Sequence, residues 1–281
     1  METAFGASLG GARSFCGMKH VGLNVAADPL FTISYTGVNA GMVICVADDP
    51  GMHSSQNEQD SRHHAIAAKV PMLEPADSAE ALEFTKKAYE ISEEFDTPVI
   101  VKMCTRIAHS QSIVETSERV VPEIKPYEKN IAKYVMMPGN AIKRHPFVEE
   151  RTKKLTEYAE TSSLNRVEMG STALGIITSS TSYQYAKEVY GENASILKLG
   201  MVNPLPVKLI KDFAAIKALK SGDKYFEFIL KALDDSAKAQ DLELKLSDSY
   251  VYTVTTGDAM TFIVIGGVFA IAVATTVVVV R

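Results

Sequence analysis

Gly41-Met42-Val43-Ile44-Cys45-Val46-Ala47 is an unbroken apolar run, and Asp48-Asp49-Pro50-Gly51 follows it directly. Its length and β-branched content suit a strand covered on both faces, the situation of a parallel sheet between helices. The acidic Pro-Gly stretch reads as a turn at the carboxyl end of that strand. Working outward, Ser78 to Phe95 is strongly helical. Ala81, Phe84, Ala88 and Ile91 share one face, opposite Glu83, Lys86, Lys87 and Glu93, with Asp77 or Ser78 as N-cap. Thr97 to Met103 is the next strand. Upstream, residues 2–12 are small and mostly apolar and suit a helix packed closely on a sheet. Arg13 to Lys19 reads as a strand and Asn24 to Ser34 as a helix. Strand alternating with helix argues for an α/β layer with a mostly parallel sheet and helices on both faces.

From Glu115 to Arg166 prolines at 122, 126, 138 and 146 interrupt a charged segment, and Val148 to Glu160 reads as a solvated helix. This is the pattern of a surface connector. Alternation resumes with Leu174 to Thr178 as strand, Ser182 to Tyr190 as helix, Ser195 to Leu199 as strand and Pro204 to Ala214 as helix. That makes one βαβ unit of a partial second α/β domain. The expected organisation is an α/β domain over 1–114, a connector over 115–166, the partial domain over 167–214 and a charged linker or stalk over 215–258. A C-terminal hydrophobic helix over 261–280 completes it. Those twenty residues carry no charge, and as a helix of ~30 Å they would match a bilayer core. Two buried strands joined at Thr275-Thr276 are the alternative, favoured by Val277 to Val280. The amino end has neither a basic segment nor an apolar core, so no signal peptide is expected.

Composition narrows the function classes. In 281 residues, 29 Lys and Arg against 34 Asp and Glu give a net charge of −5, which offers no electrostatic footprint for nucleic acid. An apolar fraction of 46% excludes disorder throughout. Cys16, Cys45 and Cys104 are too few and too scattered for a disulfide framework or a cysteine-only iron–sulfur cluster. They fall on or beside strands, where buried inert thiols are expected.

Two segments could carry chemistry. Open parallel sheets bind ligands at the carboxyl ends of their strands, and the polar loop from Ala47 to Arg62 occupies such a place. Its side chains include His53, Ser54, Ser55, Gln56, Asn57 and Gln59. Asp48-Asp49, His53, Glu58 and His63-His64 fit no standard zinc spacing, so no metal site is expected. The other segment is Met18-Lys19-His20-Val21-Gly22-Leu23-Asn24, again a strand followed by a turn. Nothing here forms a recognisable nucleophile–base pair. Gly6, Gly10 and Gly11 lie in a helix-like stretch with no strand before it and do not make a phosphate-binding loop.

Long strings carry a resemblance that composition could not supply. Gly6 to Ser14, Met18 to Leu30, Ala47 to Asp60 and Ser92 to Val99 resemble the α subunits of indolepyruvate ferredoxin oxidoreductases, and the likeness continues to about Ala214. These belong to the thiamine diphosphate-dependent 2-oxoacid:ferredoxin oxidoreductases. The resemblance implies oxidative decarboxylation of an arylpyruvate, with electrons passing through iron–sulfur clusters to ferredoxin and the acyl group to coenzyme A. It implies a β subunit and ferredoxin as partners and a cytoplasmic setting. The cofactor would carry the hard step and the protein would position it. The fold implied for 1–114 is the pyrimidine-binding type. By the same resemblance, Lys19, His20, Gly22 and Asn24 would lie near the aminopyrimidine ring, and His53, Ser54, Ser55, Gln56, Asn57 and Gln59 would face substrate.

The family's first strand and its cofactor-activating glutamate would align upstream of Met1, and Glu2 matches a different, later glutamate. A diphosphate- and magnesium-binding domain and cysteine cluster motifs have no counterpart in these 281 residues. The expectation is therefore a partial α subunit, inactive alone, holding the aminopyrimidine side only. Val254 to Asp258 with the apolar tail and Arg281 resembles a Gram-positive surface anchor without its sorting proline motif. From this comes a reading of another class: a single-pass membrane protein, or a chimeric frame joined near Ala215, presenting an α/β binding module.

Overall fold

The computed structural model describes residues 1–51, 55–221, 252–256, 260–264 and 278–280. The chain divides into two compact units, Met1–Tyr158 and Ala159–Arg281. Unit 1 holds helices α1 (Glu2–Leu9), α2 (His20–Val25), α3 (Ala27–Thr36), α4 (Ser61–Ala68), α5 (Ser78–Phe95), α6 (Thr105–His109) and α7 (Ile131–Tyr134). Its strands are β1 (Ser14–Lys19), β2 (Met42–Ala47), β3 (Met72–Leu73) and β4 (Val99–Met103). They run parallel in the order β1-β2-β4-β3.

The crossovers from β1 to β2 and β2 to β3 move one way across the sheet, and that from β3 to β4 returns. Right-handed crossovers then place α2, α3 and α4 on one face and α5 on the other. Both α2 and α3 pack on α4, while α5 packs on β2 and β4. The apolar run is fully enclosed at Met42, Val43, Ile44 and Val46, as are Val99, Ile100 and Val101 beside it. α5 has the expected bounds, because the Asp77 carboxylate accepts from Glu80 N at 2.8 Å and Phe84, Ala88 and Ile91 are buried. The single helix expected over Asn24 to Ser34 is two, meeting at Ala26.

Residues 110–130 have no regular structure, and α8 (Pro138–Thr161) follows. This helix is not solvated all round. Val148, Arg151, Leu155 and Ala159 are buried, at spacings of three and four that make one face. Polarity of the sequence hid it, because one of the buried positions is an arginine. Its guanidinium donates to the Ser34 and Asp96 carbonyls, at 2.9 Å each. Burial pushes that guanidinium down to about 10, against the opposing pull of the Asp96 charge.

Unit 2 comprises β5 (Arg166–Glu168), β6 (Gly175–Ser179), α9 (Ser180–Tyr190), β7 (Ser195–Leu199), β8 (Met201–Asn203), α10 (Val207–Ser221), β9 (Tyr252–Thr256), β10 (Met260–Val264) and β11 (Val278–Val280). Six strands lie in the order β5-β7-β6-β11-β10-β9. The expected βαβ unit is present as β6-α9-β7, with β6 and β7 parallel. Every other pair in this sheet is antiparallel. Connection length explains one of them. Three residues separate β9 from β10, and a parallel return takes a dozen or more.

The expected membrane helix over 261–280 is also corrected. Its described ends, 261–264 and 278–280, are strand, in keeping with the β-branched Thr261, Ile263, Val264 and Val278 to Val280. Among the described residues no helix is long and apolar enough to cross a membrane. Most of the charged linker expected over 215–258 and the middle of the tail lie outside the described residues.

Candidate active site

The carboxyl ends of β1, β2 and β4 deliver His20, Asp48 and Cys104 to one edge of unit 1. β3, the strand where the direction of winding reverses, delivers Glu74. This is where an open parallel sheet receives its ligand. Asp48 is buried and organises the edge. Its backbone N–H donates to the Met103 carbonyl at 2.8 Å, and its Oδ2 accepts from the Ser61 N–H at 2.8 Å. A carboxylate at the first turn of α4 is matched to the free amides there. Asp60 caps the same helix, accepting from Arg62 N at 3.0 Å.

His20 is buried between Asp48 and the polar loop. Its Nε2 lies 3.3 Å from the Asn57 carbonyl oxygen, and its Nδ1 lies 3.8 Å from Asp48 Oδ1, too far for a hydrogen bond. A carbonyl can only accept, so Nε2 carries a proton toward Asn57, and Nδ1 is left without a hydrogen-bond partner. Gln59 Oε1 and Ser61 Oγ are likewise buried without a hydrogen-bond partner. Gln59 Nε2 donates to Asn57 Oδ1 at 2.8 Å, which holds the loop's amides together. Asp49 fastens the neighbouring turn to β4's end by accepting from Thr105 N at 2.6 Å and from the Thr105 hydroxyl.

Beneath this edge lies a charged cluster that the sequence reading did not find. Arg62, Glu74 and Lys102 are all at least 95% buried. Arg62 Nε donates to Glu74 Oε1 at 2.6 Å, and its other arm reaches Asp60 Oδ2 at 2.9 Å. Burial drives the Glu74 carboxyl up, yet Lys102 and Arg62 together hold it below the ordinary carboxylate range. The cluster is discontinuous in sequence and joins α4, the end of β3 and β4, so spacing gave no signal for it. Nearby His64 is pushed down by burial and by His63.

The residues expected at the site meet different fates. His20 is central. Lys19 and Asn24 are exposed, and Gly22 lies in α2, where a Cβ would come 3.1 Å from Met18 Cβ. Asn57 and Gln59 join His20 through the contacts above. Ser55 is half-buried and Gln56 is exposed, while His53 and Ser54 lie outside the described residues. Cys16 and Cys45 are half-buried and Cys104 is buried, all as free thiols, and burial pushes the first two upward.

Residues 1–171 match the family profile described as pyruvate flavodoxin/ferredoxin oxidoreductase, thiamine diphosphate-binding. The chain belongs to this family. It is 44% identical over 219 residues to the indolepyruvate oxidoreductase subunit IorA of Methanothermobacter marburgensis, covering 76% of this chain and 35% of that one. It is 39% identical over 243 residues to the subunit of the same name in Archaeoglobus fulgidus, covering 83% and 39%. The chain thus spans little more than a third of the length of these relatives. Among solved structures, 2-oxoglutarate:ferredoxin oxidoreductase from Magnetococcus marinus matches with a TM-score of 0.53 at 15% identity, over 76% of this chain and 46% of that one. That likeness supports the α/β fold alone.

The residues present suit one end of thiamine diphosphate. An aminopyrimidine ring offers an amino donor and ring nitrogens. The unpartnered His20 Nδ1, Gln59 Oε1 and Ser61 Oγ offer acceptors and a hydroxyl in a buried setting. For the diphosphate and its magnesium, no group of three or more His, Cys, Asp or Glu side chains able to hold a metal occurs among the described residues.

Proposed function

We propose that this chain supplies the aminopyrimidine side of the thiamine diphosphate site in an indolepyruvate:ferredoxin oxidoreductase α subunit. In this reading 1–114 is the pyrimidine-binding-type layer and 167–214 the start of the following domain. Bound thiamine diphosphate supplies the carbon nucleophile for decarboxylating a 2-oxo acid. The chain's own residues do the positioning. Asp48 fixes the first turn of α4, and Asn57 orients the His20 ring. His20 Nδ1 and Gln59 Oε1 are the acceptors that would hold the cofactor's amino group. Ser55, Gln56 and Asn57 face the arylpyruvate, and turnover requires a β subunit and ferredoxin. The buried, unpartnered Nδ1 of His20 carries this reading, together with the likeness to relatives named as indolepyruvate oxidoreductase subunits.

Saturation-transfer NMR with the full chain and thiamine diphosphate tests it. Saturation is expected to be strongest on the aminopyrimidine protons and to disappear in His20→Ala. Saturation centred on the thiazolium side chain, or none, overturns the reading. The chain alone is expected to give no thiamine-dependent reduction of ferredoxin or dye by indolepyruvate. Reduction above a thiamine-free blank would show that no complementing subunit is needed.

A further inference from the structure

Lys102 is 5% exposed, yet among the described residues its ammonium faces one carboxylate, Glu74, whose Oε1 lies 3.8 Å away, beyond hydrogen-bond reach. That oxygen already accepts Arg62 Nε at 2.6 Å. An ammonium has three N–H donors and nothing to accept with. Two buried cations therefore share one fully buried carboxylate, and Arg62 holds it. A buried cation with unmatched donors is costly unless an anion meets it. The lysine also sits in the right place. Lys102 pairs with Val46, which pairs with Met18, and His20 and Asp48 come two residues after Met18 and Val46 at the mouths of their strands. Glu74 links it through Arg62 to Asp60 at the start of α4.

We propose that Lys102 is the cationic partner for the carboxylate of the 2-oxo acid substrate, an assignment that rests on the reading of the site given above. Arg62 is engaged by Glu74 and Asp60, and Lys19 is exposed. Lys102 is thus the buried cation at this edge with donors to give. The His20 edge takes the cofactor ring, and the lysine takes the acid group of the substrate.

The test compares two stable probes on the full chain, indole-3-propionate and its primary amide, which differ in charge and little in shape. A hydrogen bond to a charged group contributes about 1.5–3 kcal/mol, so the acid is expected to bind about tenfold or more tighter than the amide. Lys102→Met is expected to erase that preference and Lys102→Arg to keep it, with aminopyrimidine saturation unchanged in both. A Lys102→Met chain that still prefers the acid overturns the proposal, as does a wild-type chain with no preference. Inorganic pyrophosphate binding that depends on Lys102 would give the ammonium to the cofactor's diphosphate and overturn it too. Should Lys102→Met lose thiamine contact as well, Lys102→Arg decides: recovery of both supports the proposal, and recovery of neither overturns it. Acid preference without any thiamine contact in the wild type would sink the cofactor reading and leave the lysine site standing.

Discussion

The two edges of the parallel sheet are both densely charged, and they differ in what is left over. At the amino edge the carboxylates are matched, although Ser14 Oγ and Arg151 Nε there have no hydrogen-bond partner. Glu93 accepts from Arg13 at 2.9 Å and from the Gly41 N–H at 3.0 Å. Asp96 accepts from Val38 N, Lys133 and Arg144. The chain bends to allow it. Gly37 has φ +74°, and a Cβ there would come within 2.2 Å of Asp96 Oδ1, so glycine is required. At the carboxyl edge His20 Nδ1, Gln59 Oε1 and Ser61 Oγ lack partners, and Lys102 Nζ stands 3.8 Å from Glu74 Oε1, beyond hydrogen-bond reach. Polar groups that only stabilise a fold find partners within it. Groups that receive a ligand can be left without such a partner, and the cluster of three around His20 is the feature on which the proposed site rests.

The largest effect should come from Glu74, the one anion set under two buried cations. Glu74→Gln leaves Lys102 uncompensated and Arg62 with Asp60 alone, and should destabilise unit 1 by about 3–5 kcal/mol in urea denaturation. A loss under 1 kcal/mol would mean the cluster is already open to water. Asp96→Ala should cost less, about 1.5–3 kcal/mol, because the cations it releases can reach solvent. Thiamine contact should survive that change, and its loss would tie the two edges together.

The pH dependence follows from Glu93. Its hydrogen bond from Arg13, joined by the Gly41 amide and Lys125 against the effect of burial, lowers it from 4.5 to about 2. A folded value below the unfolded one gives stabilisation that is complete above pH 4.5 and is lost as pH falls toward 2. Melting temperature should therefore drop over that window, and Glu93→Gln should flatten the drop; an unchanged slope would exclude this ion pair as its source. The smallest stability effect belongs to Ser61→Ala. Removing an unpartnered buried hydroxyl should leave stability within about 1 kcal/mol, or raise it slightly, while weakening thiamine saturation. Full saturation in that variant would remove Ser61 from the site.

Much of the layer was legible in local pattern. The run through Val46, the amphipathic face of α5 and the βαβ unit around α9 each carry their own periodicity. Where pairing partners are distant, legibility failed. β3 is two residues long and too short to show a period, and the antiparallel flanks of unit 2 depend on which strands meet. The site divides the same way. His20, Asn57 and Gln59 stood in strings that could be compared with a family, whereas Arg62, Glu74 and Lys102 are ordinary charged residues until folding buries them together.

By itself, then, the sequence determined the family and the alternation of strand and helix in the first unit, and it pointed to the edge of the sheet on which the proposed site lies. Those follow from side-chain period and from long matching strings, both of which are local. Only the tertiary structure decided which charges are matched. An ion pair is a fact of distance and burial, and neither exists until strands far apart in sequence lie side by side.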